Sequence, residues 1–173
     1  EKYRGRCGCV MEKASGLQIT YEKGGVELID KLEALWNAQC DYHEEKSVYF
    51  SEKFKALTFD YRKEAMKSEG NQVEIVIARD DLRHAYIGYV ISTIDKEQVG
   101  ELFSLYVEST YRGEKIGERL MSYGISWMES NEVKKIHLGV AVGNEDVMSF
   151  YKRFDFYPYV VMMERKTDLD EQR

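Results

Sequence analysis

Val107-Glu-Ser-Thr-Tyr-Arg112-Gly113-Glu114-Lys115-Ile116-Gly117-Glu-Arg-Leu-Met121 joins an apolar run to an amphipathic one through a short loop of arginine and glycine. The run before it, from Glu101, is rich in β-forming residues, and Ile116, Leu120, Tyr123, Trp127 and Met128 after it recur at helical spacing. A strand, a turn and a helix in that order put the first helical turn at the loop. Its N–H groups lack intrahelical partners and it carries the positive end of the helix dipole. Such a turn suits an anion, and a diphosphate above all.

Outward from this stretch the patterns alternate. Leu17 to Tyr21 reads as a strand closed by Gly24-Gly25, and from Val26 the residues Ile29, Leu32, Leu35, Trp36 and Cys40 predict one helix to about Lys46. Ser51, as candidate N-cap, opens a second helix through Phe54, Leu57, Thr58, Tyr61 and Ala65, broken by Gly70-Asn71. Val73 to Ala78, Ala85 to Ile94 and Glu101 to Val107 read as an antiparallel meander. Lys135 to Val142 is a further strand, Asn144 to Phe154 a short helix, and Phe156 to Arg165 a last strand. Residues 1–16 show no periodicity and are expected to be a loose segment, 17–166 one domain, and 167–173 a charged tail.

The 173 residues suffice for one core and not for two. A formal charge of −6 speaks against sequence-independent binding of nucleic acid or anionic lipid, and weakly favours a cationic small substrate. Cys7-Gly8-Cys9 has no nearby histidine to complete a zinc site and reads as reduced thiols, so no metal is expected. No run approaches the ~18 apolar residues of a membrane span, and the N-terminus lacks a signal-peptide core, so the expected location is cytoplasmic.

Three separated signals agree in order and spacing: the strand Glu101-Leu-Phe-Ser-Leu-Tyr-Val107, the loop Arg112 to Gly117, and Asn144 followed by Phe150-Tyr151-Lys-Arg-Phe154-Asp-Phe156. Together they resemble the GCN5-related N-acetyltransferase (GNAT) family over residues 17–166. The resemblance implies an α/β (α+β) fold whose mixed, mostly antiparallel twisted sheet is splayed between its fourth and fifth strands, with helices on both faces. It implies acetyl-coenzyme A as co-substrate and direct transfer of acetyl to a primary amine.

Residue by residue, the family loop is Arg or Gln, two residues, Gly, one residue, then Gly or Ala. Arg112 and Gly117 match, while Lys115 stands for the middle glycine, which leaves the close approach there to ordinary helical dihedrals. By resemblance the amides of Arg112, Gly113, Glu114, Lys115, Ile116 and Gly117 hold the coenzyme's pyrophosphate. The unpaired backbone of Leu105, Tyr106 and Val107, facing Ile136 to Val140, holds the pantetheine arm, and a backbone N–H of the same strand polarises the thioester carbonyl. Asn144 touches the arm, reading equally as an N-cap. Tyr151 protonates the departing thiolate, with an ordinary helix aromatic as the bland reading, and Glu101 matches the position of a glutamate base.

His43, Glu44 and Glu45 fall where the family lines its acceptor pocket, and carboxylates there favour a cationic amine. Small-molecule amines are the expected acceptors, with protein amines, or a non-catalytic acyl-coenzyme A sensor, as alternatives. Phe156 to Lys166 supplies one strand where the family commonly has two, which motivates a homodimer.

Overall fold

The structure, a computed structural model, describes residues 12–14, 16–66 and 71–165. Six strands lie in sequence order across one sheet: β1 (Glu12–Ala14), β2 (Leu17–Gly24), β3 (Gln72–Asp80), β4 (Ala85–Ile94), β5 (Val99–Val107) and β6 (Lys135–Leu138). All neighbours are antiparallel except β5 and β6, which run parallel. The meander is as the β-forming runs between polar turns predict.

Both sheet faces are covered. In β3 the side chains of Val76 and Ala78 join one apolar cluster and those of Ile75 and Ile77 the other, the two-residue period of a strand buried on both sides. On one face lies α4 (Ile116–Ser130), which buries Ile116, Leu120, Met121 and Met128. It approaches the sheet closely at Gly124, where a Cβ would come within 2.5 Å of Ser92 Oγ. On the other face lie a 3-10 segment (Val26–Leu32), α1 (Glu33–Lys46), α2 (Ser51–Ala56) and α3 (Phe59–Met66). The short α5 (Met148–Lys152) packs Phe150 and Tyr151 against the α4 side. No helix of the described residues is long and apolar enough to cross a membrane.

Several elements differ from their sequence reading. The first helix opens as a 3-10 segment, because Ile29, Leu32 and Leu35 recur at three-residue steps that this tighter winding serves equally well. The second is two helices: Leu57 is extended (ψ 113°), and Thr58 Oγ1 accepts from the Tyr61 N–H at 3.2 Å to start α3. Ser51 is therefore not an N-cap; Phe50 holds that position without a side-chain cap.

Residues 12–14, read as part of a loose segment, pair with β2 from Glu12↔Ile19 to Ala14↔Leu17. The last strand is absent among the described residues, and Phe156–Arg165 is irregular and largely exposed. A strand exists through its pairing, and the free edge offered by the four-residue β6 is too short to hold one of that length. Cys7 and Cys9, and the tail 167–173, lie outside the described residues.

Candidate active site

Strand pairing between β5 and β6 ends early. Register runs from Val99↔Lys135 to Leu102↔Leu138 and no further, so the two strands part beyond Leu102 and Leu138. A β-bulge sits at the fork: Ile91 opposes Ser104 and Ser92 opposes Leu102, which leaves Phe103 unpaired. The bulge puts Phe103 beside Ser104 on the α1 face, and Leu105 and Val107 return to the α4 face. Along the open edge the carbonyls meet side-chain donors. Arg62 Nη2 donates to Phe103 O at 3.3 Å, Gln39 Nε2 to Leu105 O at 3.3 Å, and Arg112 Nε to Val107 O at 3.1 Å. In a regular strand the N–H of a residue points the same way as its C=O, so beyond the bulge the amides of Leu105 and Val107 also face the fork.

A cavity of about 410 Å³ opens there. Leu105, Tyr106, Val107, Arg112, Gly117, Asn144 and Tyr151 line it, together with Gly139 to Ala141 from the diverging strand. Trp36, Gln39, Cys40 and His43 of α1, Phe54 and Leu57 at α2, and Arg62 of α3 line it as well.

The loop that ends at α4 is anchored from below. Tyr111, buried, donates its hydroxyl to Asp80 Oδ2 at 3.0 Å, and Arg83 Nη1 donates to the same oxygen at 2.7 Å. The guanidinium of Arg83, then Tyr111, hold the Asp80 carboxyl below its ordinary value. Gly113 has φ 91°, and Lys115, at the N-cap of α4, has φ 59°. Lys115 thus occupies the left-handed region, not the ordinary helical dihedrals expected of it, and it provides no side-chain cap. The first turn of α4 thus has no side-chain cap, and N–H groups in such a turn suit a diphosphate. The Arg112 guanidinium lies 4.9 Å from the Tyr42 ring centroid, and Tyr42 Oη donates to Asn144 Oδ1 at 3.1 Å. Asn144 precedes a 3-10 turn (Glu145–Val147) but makes no side-chain cap there; its oxygen is spent on Tyr42.

Tyr151 is pressed edge-on to Phe150, with ring centroids 5.3 Å apart, and burial raises its pKa. His43 also lines the cavity, 5.3 Å from the Phe54 ring; burial lowers its pKa, which leaves the imidazole neutral. Burial raises the Cys40 thiol and keeps it protonated.

Glu101, Glu44 and Glu45 do not line the cavity. Glu101 shares the α1 face of β5 with Phe103 and attracts Arg62 through space without forming an ion pair. Four residues escaped the sequence reading. Tyr89 Oη donates to Gln39 Oε1, and Ser104 Oγ stands 2.9 Å from the same oxygen and 3.0 Å from Tyr89 Oη, a buried network at the cavity floor. Arg62 is the other omission. Its 3.5 Å approach to the Phe103 ring follows from the helix break at Leu57-Thr58, which turns Arg62 inward and leaves Tyr61 66% exposed. No group of acidic, histidine or cysteine side chains among the described residues could hold a metal.

The model of the Acetyltransferase (GNAT) family matches residues 32–156. An uncharacterized N-acetyltransferase of Methanocaldococcus jannaschii is 33% identical over 66 residues, a stretch that is 38% of this chain and 29% of that protein. The chain thus matches less than a third of this curated relative. Among solved structures, the BH1408 protein of Bacillus halodurans, solved as a tetramutant, is 18% identical over 85% of this chain and 99% of that one, with a TM-score of 0.63. An aminoglycoside N-acetyltransferase in complex with coenzyme A is 13% identical over 90% and 99% of the two chains, with a TM-score of 0.61. At such identities the likeness is one of fold.

Proposed function

The chain belongs to the GNAT family of acetyltransferases, and on that premise we propose that it moves an acetyl group from acetyl-coenzyme A directly to the primary amine of a small molecule. The observation that carries this reading is the continuity of one cavity from the uncapped first turn of α4, along the open edge of β5, to Tyr151 and the α1–α3 wall.

Acetyl-coenzyme A, as co-substrate, supplies the activated thioester. Arg112 and the amides from Gly113 to Gly117 bind its diphosphate, and Asn144, held by Tyr42, lies against the arm. The amides of Leu105 and Val107 accept the arm as an added strand. A nearby backbone N–H of the same strand meets negative charge as it develops on the carbonyl oxygen. An alkylamine must shed a proton at a cost of about 4–5 kcal/mol at neutral pH. Glu101 takes that proton through water, since it stands off the lining. As the N–C bond forms and the C–S bond breaks, Tyr151 gives its hydroxyl proton to the sulfur. Its raised pKa keeps that proton in place until then.

The chain acts as a homodimer in this reading. Tyr159, Val160, Val161, Met162 and Met163 are 77–98% exposed, and an ion pair of 2.6 Å between Lys53 and Glu164 seats the end of this run beside the acceptor wall. A second copy of the chain is what covers it.

Assay of free thiol over a panel of amines tests the proposal. Amine-dependent release that Tyr151→Phe suppresses supports it. Tight coenzyme binding with no amine raising thiol above background overturns it and favours an acyl-coenzyme A sensor.

A further inference from the structure

Among the described residues no carboxylate lines the cavity. The charged lining groups there are two arginines, Arg112 and Arg62, although the chain as a whole is acidic. They bracket the opened stretch of β5, Arg112 on the Val107 carbonyl and Arg62 on the Phe103 carbonyl, about 13 Å apart at ~3.3 Å per residue. The first stands at the diphosphate end; the second stands at the acceptor end and belongs to no part of the transfer derived above.

Arg62 is a half-buried guanidinium that Glu101 attracts only through space. It makes no ion pair with a carboxylate of the described residues, and its Nε is buried with no hydrogen-bond partner. It is sandwiched instead between two rings, 3.5 Å from the Phe103 centroid and 4.9 Å from that of Trp36. The indole Nε1 of Trp36 is likewise buried and unpartnered. Two neighbouring donors left without an acceptor, one of them charged, are costly in a folded chain unless a ligand satisfies them. An arginine remains protonated at neutral pH, and its planar fork matches the paired oxygens of a carboxylate or phosphate.

We propose that the acceptor is an amine that also carries an anionic oxygen group, a carboxylate or a phosphate, and that Arg62, with Trp36 beside it, binds that group while the amine faces the thioester. This deepens the acetyl-transfer reading and rests on it. It departs from the cationic acceptor that the net charge of −6 favours.

The test is steady-state thiol release by the full chain with acetyl-coenzyme A and matched amines. One arm pairs amino acids with their carboxamides, and the other pairs an amino sugar phosphate with the free amino sugar. We expect kcat/KM to favour the anionic member of at least one pair by about tenfold or more, the worth of one charge-assisted hydrogen bond, chiefly through KM. Which arm responds tells carboxylate from phosphate. Arg62→Met should collapse that ratio to near unity with coenzyme affinity by calorimetry unchanged. Arg62→Lys, which keeps the charge and loses the fork, should fall between, and it serves if the methionine variant does not fold. Preference for the neutral members or for polyamines, or a ratio that Arg62→Met leaves intact, overturns this inference alone. Coenzyme binding with no amine turned over removes the transfer reading, and this one with it.

Discussion

Tyr151 is a phenol held against Phe150 at the cavity wall, its pKa raised by burial, and its hydroxyl makes no hydrogen bond to another described residue. Removing the hydroxyl while leaving the ring separates chemistry from packing. Tyr151→Phe should lower kcat by about 100-fold, within the usual span for a general acid, with coenzyme affinity unchanged by calorimetry. His43 tests a different property. Because burial lowers its pKa from 6.5, the unfolded chain takes up a proton before the folded one does as pH falls through that value. The stability His43 contributes is therefore fully present above that value and is lost below it, toward the lower folded pKa. In denaturant titrations, wild type should lose more stability than His43→Gln between about pH 7.5 and pH 5.5. Lys115 adds a backbone test. A non-glycine residue at φ 59° costs about 1–2 kcal/mol, partly offset by the extra unfolded entropy of glycine. Lys115→Gly should thus stabilise the fold by about 0.5–1 kcal/mol, read as a rise in Tm.

At the scale of elements, the site is the meeting of one helix start with one strand edge. Gly117 lies in the first turn of α4, where the nearest atoms to an added Cβ would be Phe150 Cζ at 3.7 Å and Phe150 Cε2 and Val107 Cγ2 at 3.8 Å, ordinary contacts. Alanine there should bind coenzyme like the parent. Aspartate fits no worse but sets a negative charge against the diphosphate, and Gly117→Asp should weaken coenzyme binding by about tenfold or more in calorimetry. Equal binding would mean the anion site is misplaced. Elements of this kind are what sequence patterning reads well: α4 carries a helical apolar period, and β3, β4 and β5 are runs of β-forming residues, near-continuous in β4 because both sides of the sheet are packed. The α2–α3 break is invisible to it, since Phe54, Leu57, Tyr61 and Ala65 continue one helical pattern on paper. Only the cap at Thr58 shows that the phase is reset, and the reset is what brings Arg62 into the cavity.

At the scale of the whole molecule, net charge and local charge part company. Among the described residues the cavity is lined by two arginines and no carboxylate although the chain as a whole is acidic, so a global count does not describe the charge of the cavity. The missing last strand has a similar root, because sequence shows that residues can be extended but not whether an edge exists to pair them. The run from Tyr159 to Met163 has five consecutive apolar residues, at least 77% exposed, with Val48 and Tyr49 also exposed at 74% and 65%. A stable interface needs about 800 Å² from each partner, and exposed apolar side chains in this number supply area of that order. Two copies meeting there would bury the run beside both acceptor walls. Solution scattering should give a dimer mass at micromolar concentration that falls to the monomer value in Val161→Glu. The Tm of the parent should rise with protein concentration, as it does when association stabilises the native state, and that of the variant should not. A monomer mass for the parent at every concentration would rule out the second copy and leave the acceptor wall to a single chain.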